Sequence, residues 1–378
     1  MSVTMLERRP MTDWTARAQA LGADFAARAA ALDAADAYVG DNLAALKRAG
    51  FFAMHVPAEL GGGGASYAET CAAIRVLSAE CGATGLAFAM HTHIVALAAW
   101  RWRHASAPTD GLLRRVAGEG LALVSSGGSD WLMSAGVARK VEGGFRITAR
   151  KAFASGCLSG DLLSTSAVYD DPEAGPTVLH FMAPLKGEGV AIEETWAVMG
   201  MRATGSHDVT LSDVFIADAA VSGRRPQGKW HPLYHMIAML AFPIIYAAYA
   251  GVADAARARA LAMARTRNAD ATLLALVGEM ETAWVAADIA HADMVRLATT
   301  ASPNAETTAA IMARRTLAGR FAIETATKAL EVAGGAGFYR EAGLERLFRD
   351  VQAARFHPLQ EKPQALFSAR VALGLDID

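Results

Sequence analysis

The sequence has few cysteines and no block of charge of either sign. Its three cysteines, Cys71, Cys81 and Cys157, form neither a CxxC pair nor an even-numbered framework, so a reducing cytoplasm is the expected location. Its 36 basic and 38 acidic residues are interspersed and give a formal charge of −2, which argues against a nucleic-acid partner. No apolar segment follows Arg8 and Arg9, so no signal peptide is expected.

Long apolar runs are also scarce, with one exception between Met236 and Ala253. Its length just reaches the roughly 18 residues that suggest a membrane helix. Pro243 interrupts the run, and the continuation DAARARALAMARTR becomes charged at a helical period. Such a helix is more typical of a protein core or a subunit interface, so no membrane span is predicted.

Hydrophobic residues are abundant, at 53% of the 378 residues, and they follow three successive patterns. A helical pattern predicts an N-terminal helical domain over 1–120, an alternating pattern predicts a β domain over 121–225, and a second helical pattern covers 226–378. A chain of this length is expected to divide into two or three domains. In the β region, HDVTLSDVFI predicts two short antiparallel strands joined by a turn at Ser212 and Asp213.

Four segments of the chain carry a family resemblance. LVSSGGSDW (123–131) resembles a Gly-Ser-Asp segment at the start of a β domain, and KAFASG (151–156) resembles a Lys-x-Trp-Ile-Thr-Asn strand. WAVMGMRATGSHDVTLSDVFIADAAV (196–221) and ALEVAGGAGFYREAGLERLFRD (329–350) resemble the end of that domain and a later Gly-Gly turn. The family with these segments is the acyl-CoA dehydrogenase superfamily. The resemblance implies a mainly helical homotetramer with FAD, a middle antiparallel β-barrel or sandwich, and a C-terminal four-helix bundle.

The resemblance also implies which residues meet the cofactor. Family members stack an aromatic ring on the flavin, contact the ring with hydroxyl groups, and bring a neighbouring subunit's Gly-Gly turn to the pyrophosphate. These interactions suit a flat ring with polar edges and an anion that accepts backbone N–H groups. Ser129 is expected near the substrate. The residues expected at the cofactor are Ser125, Phe153, Ser155, Arg267, Gly334 and Gly335.

The usual catalytic base of the family is missing. In the commonest dehydrogenases a glutamate lies nine residues after the arginine matched by Arg349, and here that position is Pro358, which cannot act as a base. The other position used in the family falls on Ala258 or Arg259. The CoA-facing arginine is replaced by Phe242, which puts a CoA substrate in doubt because an anionic tail needs cations.

Histidines offer alternative chemistry. In a sister group on the same fold, the two-component flavin monooxygenases, a histidine at the place of His357 assists oxygen chemistry, and an imidazole exchanges protons near neutral pH. The alternative is a histidine that only ends a helix before Pro358. Glu361 is a second candidate base if the turn after Pro358 is shifted. His91 and His93 have no carboxylate or cysteine at ligand spacing, so a substrate pocket or a buried polar feature is predicted rather than a metal site.

Three functions therefore stay open. The chain is an atypical acyl-thioester dehydrogenase, with His357 or Glu361 as its base and an electron-transfer flavoprotein as a partner. Alternatively, it is a two-component monooxygenase that takes reduced FMN or FAD from a flavin reductase and uses O2 on a small aromatic or heteroatom substrate. The third reading is a flavin-binding protein without catalysis, because folds outlast their activities.

Overall fold

The computed structural model describes residues 12–126, 128 and 130–378. Within these residues, ten α-helices and eight β-strands follow one another in the order helices, strands, helices. The helices are α1 (Trp14–Ala34), α2 (Gly40–Arg48), α3 (Tyr67–Glu80), α4 (Gly82–Ala105), α5 (Asp110–Glu119), α6 (Pro232–Ala264), α7 (Ala271–Thr300), α8 (Ala305–Ala333), α9 (Leu344–Val351) and α10 (Glu361–Ala372). The strands are β1 (Leu123–Ser125), β2 (Val137–Val141), β3 (Gly144–Lys151), β4 (Leu162–Asp171), β5 (Gly175–Pro184), β6 (Val190–Glu193), β7 (Asp208–Ala217) and β8 (Val221–Pro226).

The N-terminal helices begin at residues that cap them. Asp13 accepts a hydrogen bond from the backbone of Ala16 at the start of α1, at 2.9 Å. Ser66 and Glu69 form a reciprocal capping box at the start of α3, which satisfies two of the backbone donors that a helix start leaves free. Helix α4 is apolar on all sides and mostly buried, so it runs through the core and not over the surface.

The strands of the described region form one mixed sheet. Its order is β6-β7-β3-β2-β4-β5-β8, and β1 pairs with β4. Most neighbouring strands are antiparallel, as the alternating pattern predicts, but β1 and β2 each pair with β4 in parallel. Parallel neighbours need a long connection, and β3 lies between β2 and β4 in the chain. The fold class is as predicted, and only the expectation that the middle sheet is wholly antiparallel is corrected, to a mixed sheet.

The turn predicted at Ser212 and Asp213 is wrong. Strand β7 runs unbroken from Asp208 to Ala217 and pairs with β3 along its length. The pairing register shifts at this point, and Asp213 has a φ of 54°, so one extra residue forms a β-bulge. Because small polar residues favour bulges and turns alike, composition did not distinguish the two.

The C-terminal bundle is built around α6. This helix continues through Pro243, although a proline removes one backbone hydrogen bond and was expected to interrupt the run. His291 of α7 donates its Nε2–H to the Pro243 carbonyl at 2.9 Å, and tertiary packing keeps the helix intact. Among the described residues, α4 and α6 are long and apolar enough to cross a membrane, and 89% of the most apolar window of each is buried inside the protein.

Two glycines let α4 and α6 approach α3 closely. A Cβ atom at Gly85 of α4 would overlap the side chain of Ser78 on α3. A Cβ atom at Gly251 of α6 would overlap the carbonyl of Arg75, one turn earlier on α3. Helices α4 and α6 are therefore held against a common neighbour at backbone contact distance, with no room for a methyl group.

The turn that carries His357 lies between the last two helices. Helix α9 ends at Val351, a 3₁₀ turn continues to Arg355, and α10 begins at Glu361. The helix stops before His357 and Pro358, as the conformational effect of proline on its predecessor predicts. A Cβ atom at Gly128 would lie 3.8 Å from Cδ of Pro358, so this turn lies against the loop that follows β1.

Candidate active site

One broad face of α4 meets two segments of the β region. A Cβ atom at Gly156 would lie 3.8 Å from the Ala87 carbonyl, which places the turn 153–156 against the middle of the helix. One turn further along, Ser125 at the end of β1 donates its hydroxyl hydrogen to Sδ of Met90 at 3.7 Å. Two of the segments expected at the cofactor therefore lie side by side along α4.

His93 follows Met90 by three residues on the same helix. Its Nδ1–H donates to the Ala89 carbonyl at 3.2 Å, so Nε2 carries the free lone pair. Burial lowers the pKa of His93 to about 4, and the ring is uncharged at neutral pH. Among the described residues Nε2 has no hydrogen-bond partner, so His93 presents an acceptor.

His357 presents a hydrogen-bond donor, in contrast to the acceptor of His93. Its Nε2 lies 2.5 Å from the hydroxyl of Tyr249, a fully buried residue of α6. Burial raises the pKa of Tyr249 well above its usual range, so the phenol keeps its proton. The hydroxyl has no other described acceptor and donates to Nε2, which leaves the ring proton of His357 on Nδ1. Burial, then Arg315 and His93, lower the pKa of His357 to about 3.

Besides burial and Arg315, His93 contributes to lowering the pKa of His357. In the part of the chain that the structure describes, neither imidazole forms an ion pair with a carboxylate. One uncharged acceptor, Nε2 of His93, and one uncharged donor, Nδ1–H of His357, can orient a ligand that has both a donor and an acceptor. Because both rings are uncharged at neutral pH, they offer hydrogen bonds and not charge.

Aromatic side chains line the adjoining part of α6. Phe242 and Tyr249 are seven residues apart and so lie on one face of the helix. Trp131 packs against Phe242 and Tyr234, with ring centroids 6.2 and 4.8 Å away. The indole Nε1 of Trp131 is buried without a partner, and its backbone has a φ of 30°. A buried unpaired donor on a strained backbone is costly, which marks Trp131 as a candidate ligand contact.

The residues expected at a flavin ring fit such a group. Phe153 is 56% exposed, has a φ of 61°, and lies 6.0 Å from Trp196 in an edge-on arrangement. Exposing an aromatic ring on a left-handed backbone is unfavourable unless a ligand covers it. Ser155 is buried beside it, and its hydroxyl lies 2.7 Å from that of Ser206. Ser125 supplies a second hydroxyl at the end of β1.

Arg267, Gly334 and Gly335 form a separate corner at the end of α8. Nη1 of Arg267 donates to the Val332 carbonyl at 2.5 Å, and a Cβ atom at Gly334 would lie 3.7 Å from that nitrogen. A Cβ atom at Gly335 would meet nothing within 4 Å. This group of residues therefore offers a cation and accessible backbone. None of the described hydrogen bonds connects it to α4 of the same chain.

Three other predicted residues have different surroundings. His91 is fully engaged: Nε2–H donates to the Phe52 carbonyl at 2.9 Å, and Nδ1 accepts from the backbone of Leu123 at 3.0 Å. Both oxygens of Glu361 accept hydrogen bonds from Arg320, which lower the pKa of this carboxylate and make it a weaker base. Ser129 lies outside the described residues.

Sequence reasoning missed three residues of this site. Tyr249 was included in an apolar run, although a buried tyrosine needs a hydrogen-bond partner and this need was a usable signal. Trp131 was included only in the Gly-Ser-Asp motif. Arg315 contacts the His357 turn, but it follows Arg314 in an alanine-rich helix, and only the helical phase distinguishes the two.

Comparison with known proteins adds to this geometry. A family model described as "Acyl-CoA dehydrogenase, N-terminal domain" matches residues 15–106, and "Acyl-CoA dehydrogenase, C-terminal domain" matches 235–361. A pigment production hydroxylase of Rhodococcus sp. (strain ATCC 21145) is 27% identical over 370 residues, 92% of each chain. The oxygenase component of an FADH(2)-dependent resorcinol hydroxylase of Rhizobium sp. (strain MTP-10005) is 30% identical over 202 residues, 50% of this chain and 46% of that protein.

Solved structures share the whole architecture. A KijD3 in complex with FMN and a dTDP-sugar superposes with a TM-score of 0.87 at 24% identity, and the match covers 98% of this chain and 95% of that one. A likeness at this identity establishes the fold. It confirms the predicted class, a mainly helical chain with a central sheet between two helical regions.

Proposed function

This chain belongs to the acyl-CoA dehydrogenase superfamily of flavin enzymes, and we propose that it is the oxygenase component of a two-component flavin-dependent monooxygenase. The observation that carries the proposal is the hydrogen bond from Tyr249 to His357, because His357 lies in the turn where dehydrogenases of the family place a glutamate. The hydroxylase names of two relatives support the same reaction class. A flavin reductase is the proposed partner, and a small molecule is the proposed substrate.

The proposed cofactor contacts follow from the site. Phe153 would cover one face of the flavin ring, with Ser125 and Ser155 at its polar edge. A reduced flavin held there would supply two electrons to O2, so that one oxygen atom enters the substrate and the other leaves as water. The uncharged walls of α4 and α6 would exclude bulk water from this chemistry.

The protein's own groups would handle the protons. Nε2 of His93 would accept a hydrogen bond from a hydroxyl or amine of the substrate, and Nδ1–H of His357 would donate to an oxygen atom opposite. Trp131 and Phe242 would contact the apolar body of the substrate, and the unpaired Nε1–H of Trp131 would meet a polar atom on it. This combination suits a small aromatic compound with one hydroxyl or amine.

Dehydrogenation of an acyl thioester is less well supported. No carboxylate of the described residues hydrogen-bonds to His93 or His357, and Glu361 would first have to leave Arg320. Phe242, at the place of the CoA-facing arginine, is apolar and only 2% exposed. An anionic CoA tail would find no cation at this position.

We also propose that the protein is an oligomer, on the basis of the residues at the end of α8. Arg267, Gly334 and Gly335 would meet the phosphate of a flavin bound in a neighbouring subunit of a homotetramer. Phe338 and Tyr339 follow this turn and are 89% and 71% exposed, which is unusual for large apolar side chains unless a partner covers them. Sedimentation of the parent protein and of Phe338→Ser tests this element: a monomeric parent would contradict it.

The decisive experiment compares two reactions, oxygenation of an aromatic compound and dehydrogenation of an acyl-CoA. The purified protein is supplied with NADH, a flavin reductase, FMN and ¹⁸O2 together with a panel of phenols and anilines, and products are weighed by mass spectrometry. We expect one ¹⁸O atom in a product and tighter binding of reduced than of oxidised FMN. In a parallel anaerobic assay, bleaching of bound oxidised flavin by acyl-CoA would instead establish the dehydrogenase, with an electron-transfer flavoprotein as acceptor. Flavin binding with neither reaction would leave a binding protein.

A further inference from the structure

Arg315 of α8 is a buried cation without an acidic partner. Its side chain is 1% exposed, and no described carboxylate lies within ion-pair distance of it. Nη1 donates to the Leu359 carbonyl at 2.6 Å, Nη2 donates to the His357 carbonyl, and Nε is buried without a partner. A charge buried in this way is expensive, because carbonyl dipoles replace water only in part. Both hydrogen bonds that Arg315 donates end on the turn that carries His357.

The preceding arginine on the same helix has a carboxylate partner. Arg314 precedes Arg315 on α8 and pairs with Asp293 of α7. In the N-terminal region, the partly buried Arg75 is held by Asp254 and Asp288 together. Both follow the usual rule that a buried arginine meets carboxylates. Arg315 departs from it, and its guanidinium fork matches two carbonyls two residues apart.

Two tyrosines of α6 reinforce the same segment. The guanidinium of Arg315 lies 5.3 Å from the centre of the Tyr246 ring, and the Tyr246 hydroxyl donates to the Ala354 carbonyl at 2.6 Å. Tyr249 bonds the imidazole of His357 itself. Backbone and side chain of the turn are therefore held from α6 and α8 at once, with Arg315 at the centre.

We propose that Arg315 is a positioning residue for His357: its fork fixes the turn that carries the imidazole, and its buried charge opposes protonation of the ring. The proposal deepens the proposed function and rests on it for the role of His357 in turnover. The charged or titratable groups around the ring are His93 from α4, Tyr246 and Tyr249 from α6, and Arg315 from α8. On the ring's own segment, Arg355 is exposed, and Glu361 is held by Arg320.

The fork and the charge can be separated by two substitutions. Lysine keeps the charge but has a single ammonium group, so Arg315→Lys cannot hold both carbonyls. Methionine keeps the apolar stem and removes the charge, so Arg315→Met should let His357 protonate more readily. The matched control is Arg314→Gln, which removes the adjacent arginine without touching the turn.

The test uses full-length protein labelled with ¹³C and ¹⁵N in histidine, with the His357 signal assigned from His357→Asn. In the parent, we expect one neutral tautomer and no titration between pH 8 and 5. In Arg315→Met the signal should titrate about 1 to 3 pH units higher than in the parent, the range of a neighbouring charge. In Arg315→Lys the titration should stay near that of the parent, while the ring shifts and tautomer ratio change.

If His357 titrates and resonates in both variants as it does in Arg314→Gln, the inference is wrong. Should Arg315→Met fail to fold, the tautomer ratio in Arg315→Lys decides alone. These readouts need neither flavin nor substrate, so they stay valid if the monooxygenase proposal fails. Where hydroxylation is observed, we expect Arg315→Lys to lower kcat about tenfold or more with little change in KM, because a displaced catalytic group affects the reaction more than binding.

Discussion

Two of the histidines on helix α4, His91 and His93, lie two residues apart and meet different surroundings. Both ring nitrogens of His91 are tied to backbone groups, and the ring stacks on Phe52 with centroids 4.5 Å apart. His93 uses one nitrogen within its own helix and leaves the other without a described partner. The comparison teaches that a satisfied histidine holds elements together, whereas a half-satisfied one is available to a ligand. His357 belongs with His93, because only its Nε2 is engaged.

The largest expected effect is the loss of turnover in His357→Ala. Removing a positioned hydrogen-bond donor costs about 10²- to 10³-fold in rate, measured as kcat for formation of the oxygenated product. His104→Ala, which changes an exposed histidine of α4, is the control and should stay close to the parent. Turnover near the parent rate, at unchanged thermal stability, would show that His357 only ends a helix.

The second effect tests His93, whose Nε2 has no described hydrogen-bond partner. We expect His93→Ala to lower kcat about 10²-fold, because the acceptor for the substrate proton is lost. Its melting temperature should change little, since the only described hydrogen bond that it loses lies within α4. A His93→Ala variant that is fully active but unstable would show that His93, like His91, has a structural role and does not contact the substrate.

The third effect tests His91, whose two ring nitrogens are both hydrogen-bonded. His91→Ala leaves the Phe52 carbonyl and the Leu123 N–H unpaired and opens a cavity, so the free energy of unfolding should fall by about 2 to 4 kcal/mol. The measurement is urea unfolding, and the folded fraction should keep a kcat near that of the parent. Strong loss of activity in stably folded protein would contradict the structural role of His91.

The effect that is smallest for any single residue is a dependence of stability on pH. Burial lowers the pKa of six histidines to about 3 or 4, against a usual value near 6.5. Below pH 6.5 the unfolded chain therefore binds protons that the folded chain does not, and stability must fall as the pH drops from 6.5 towards 4. The six are His55, His91, His93, His180, His291 and His357.

Urea unfolding at several pH values between 7.5 and 5 checks this dependence. Each buried histidine contributes a slope of at most about 1.4 kcal/mol per pH unit, the free energy of one proton per unit. His291→Asn should be less stable at pH 7.5 but should show a shallower slope than the parent. A free energy that is flat, or that rises on acidification, would contradict the burial of neutral histidines.

Much of the fold could be predicted from the sequence, because its signals are local. Helical and alternating patterns gave the helix, strand, helix order, and contiguous motifs gave the family. The bulge at Ser212 and Asp213 and the continuation of α6 through Pro243 could not be read locally, since pairing with β3 and packing in the bundle decide them. Tertiary contacts override residue preferences at such positions.

The candidate site was predictable in part. The spacing from Arg349 located His357, and the motifs located Phe153 and Ser155, but their roles remain proposals. The difference between His91 and His93 could not be predicted, because it depends on Phe52 and Leu123, which are distant in sequence. Arg315 could not be distinguished from Arg314 for the same reason: its partners are carbonyls, which every residue has.

The glycine contacts on α3 have a consequence for how the enzyme can change. His93 follows Gly85 on α4, and Tyr249 lies two residues before Gly251 on α6, so both polar groups are carried by helices that pack on adjoining turns of α3. A methyl group at Gly251 would displace α6 and shift Tyr249 relative to His93 without altering any side chain that touches a ligand. New substrate preferences are therefore open to selection at residues buried behind the site, and a search for altered specificity should sample the α3 crossing as well as the pocket.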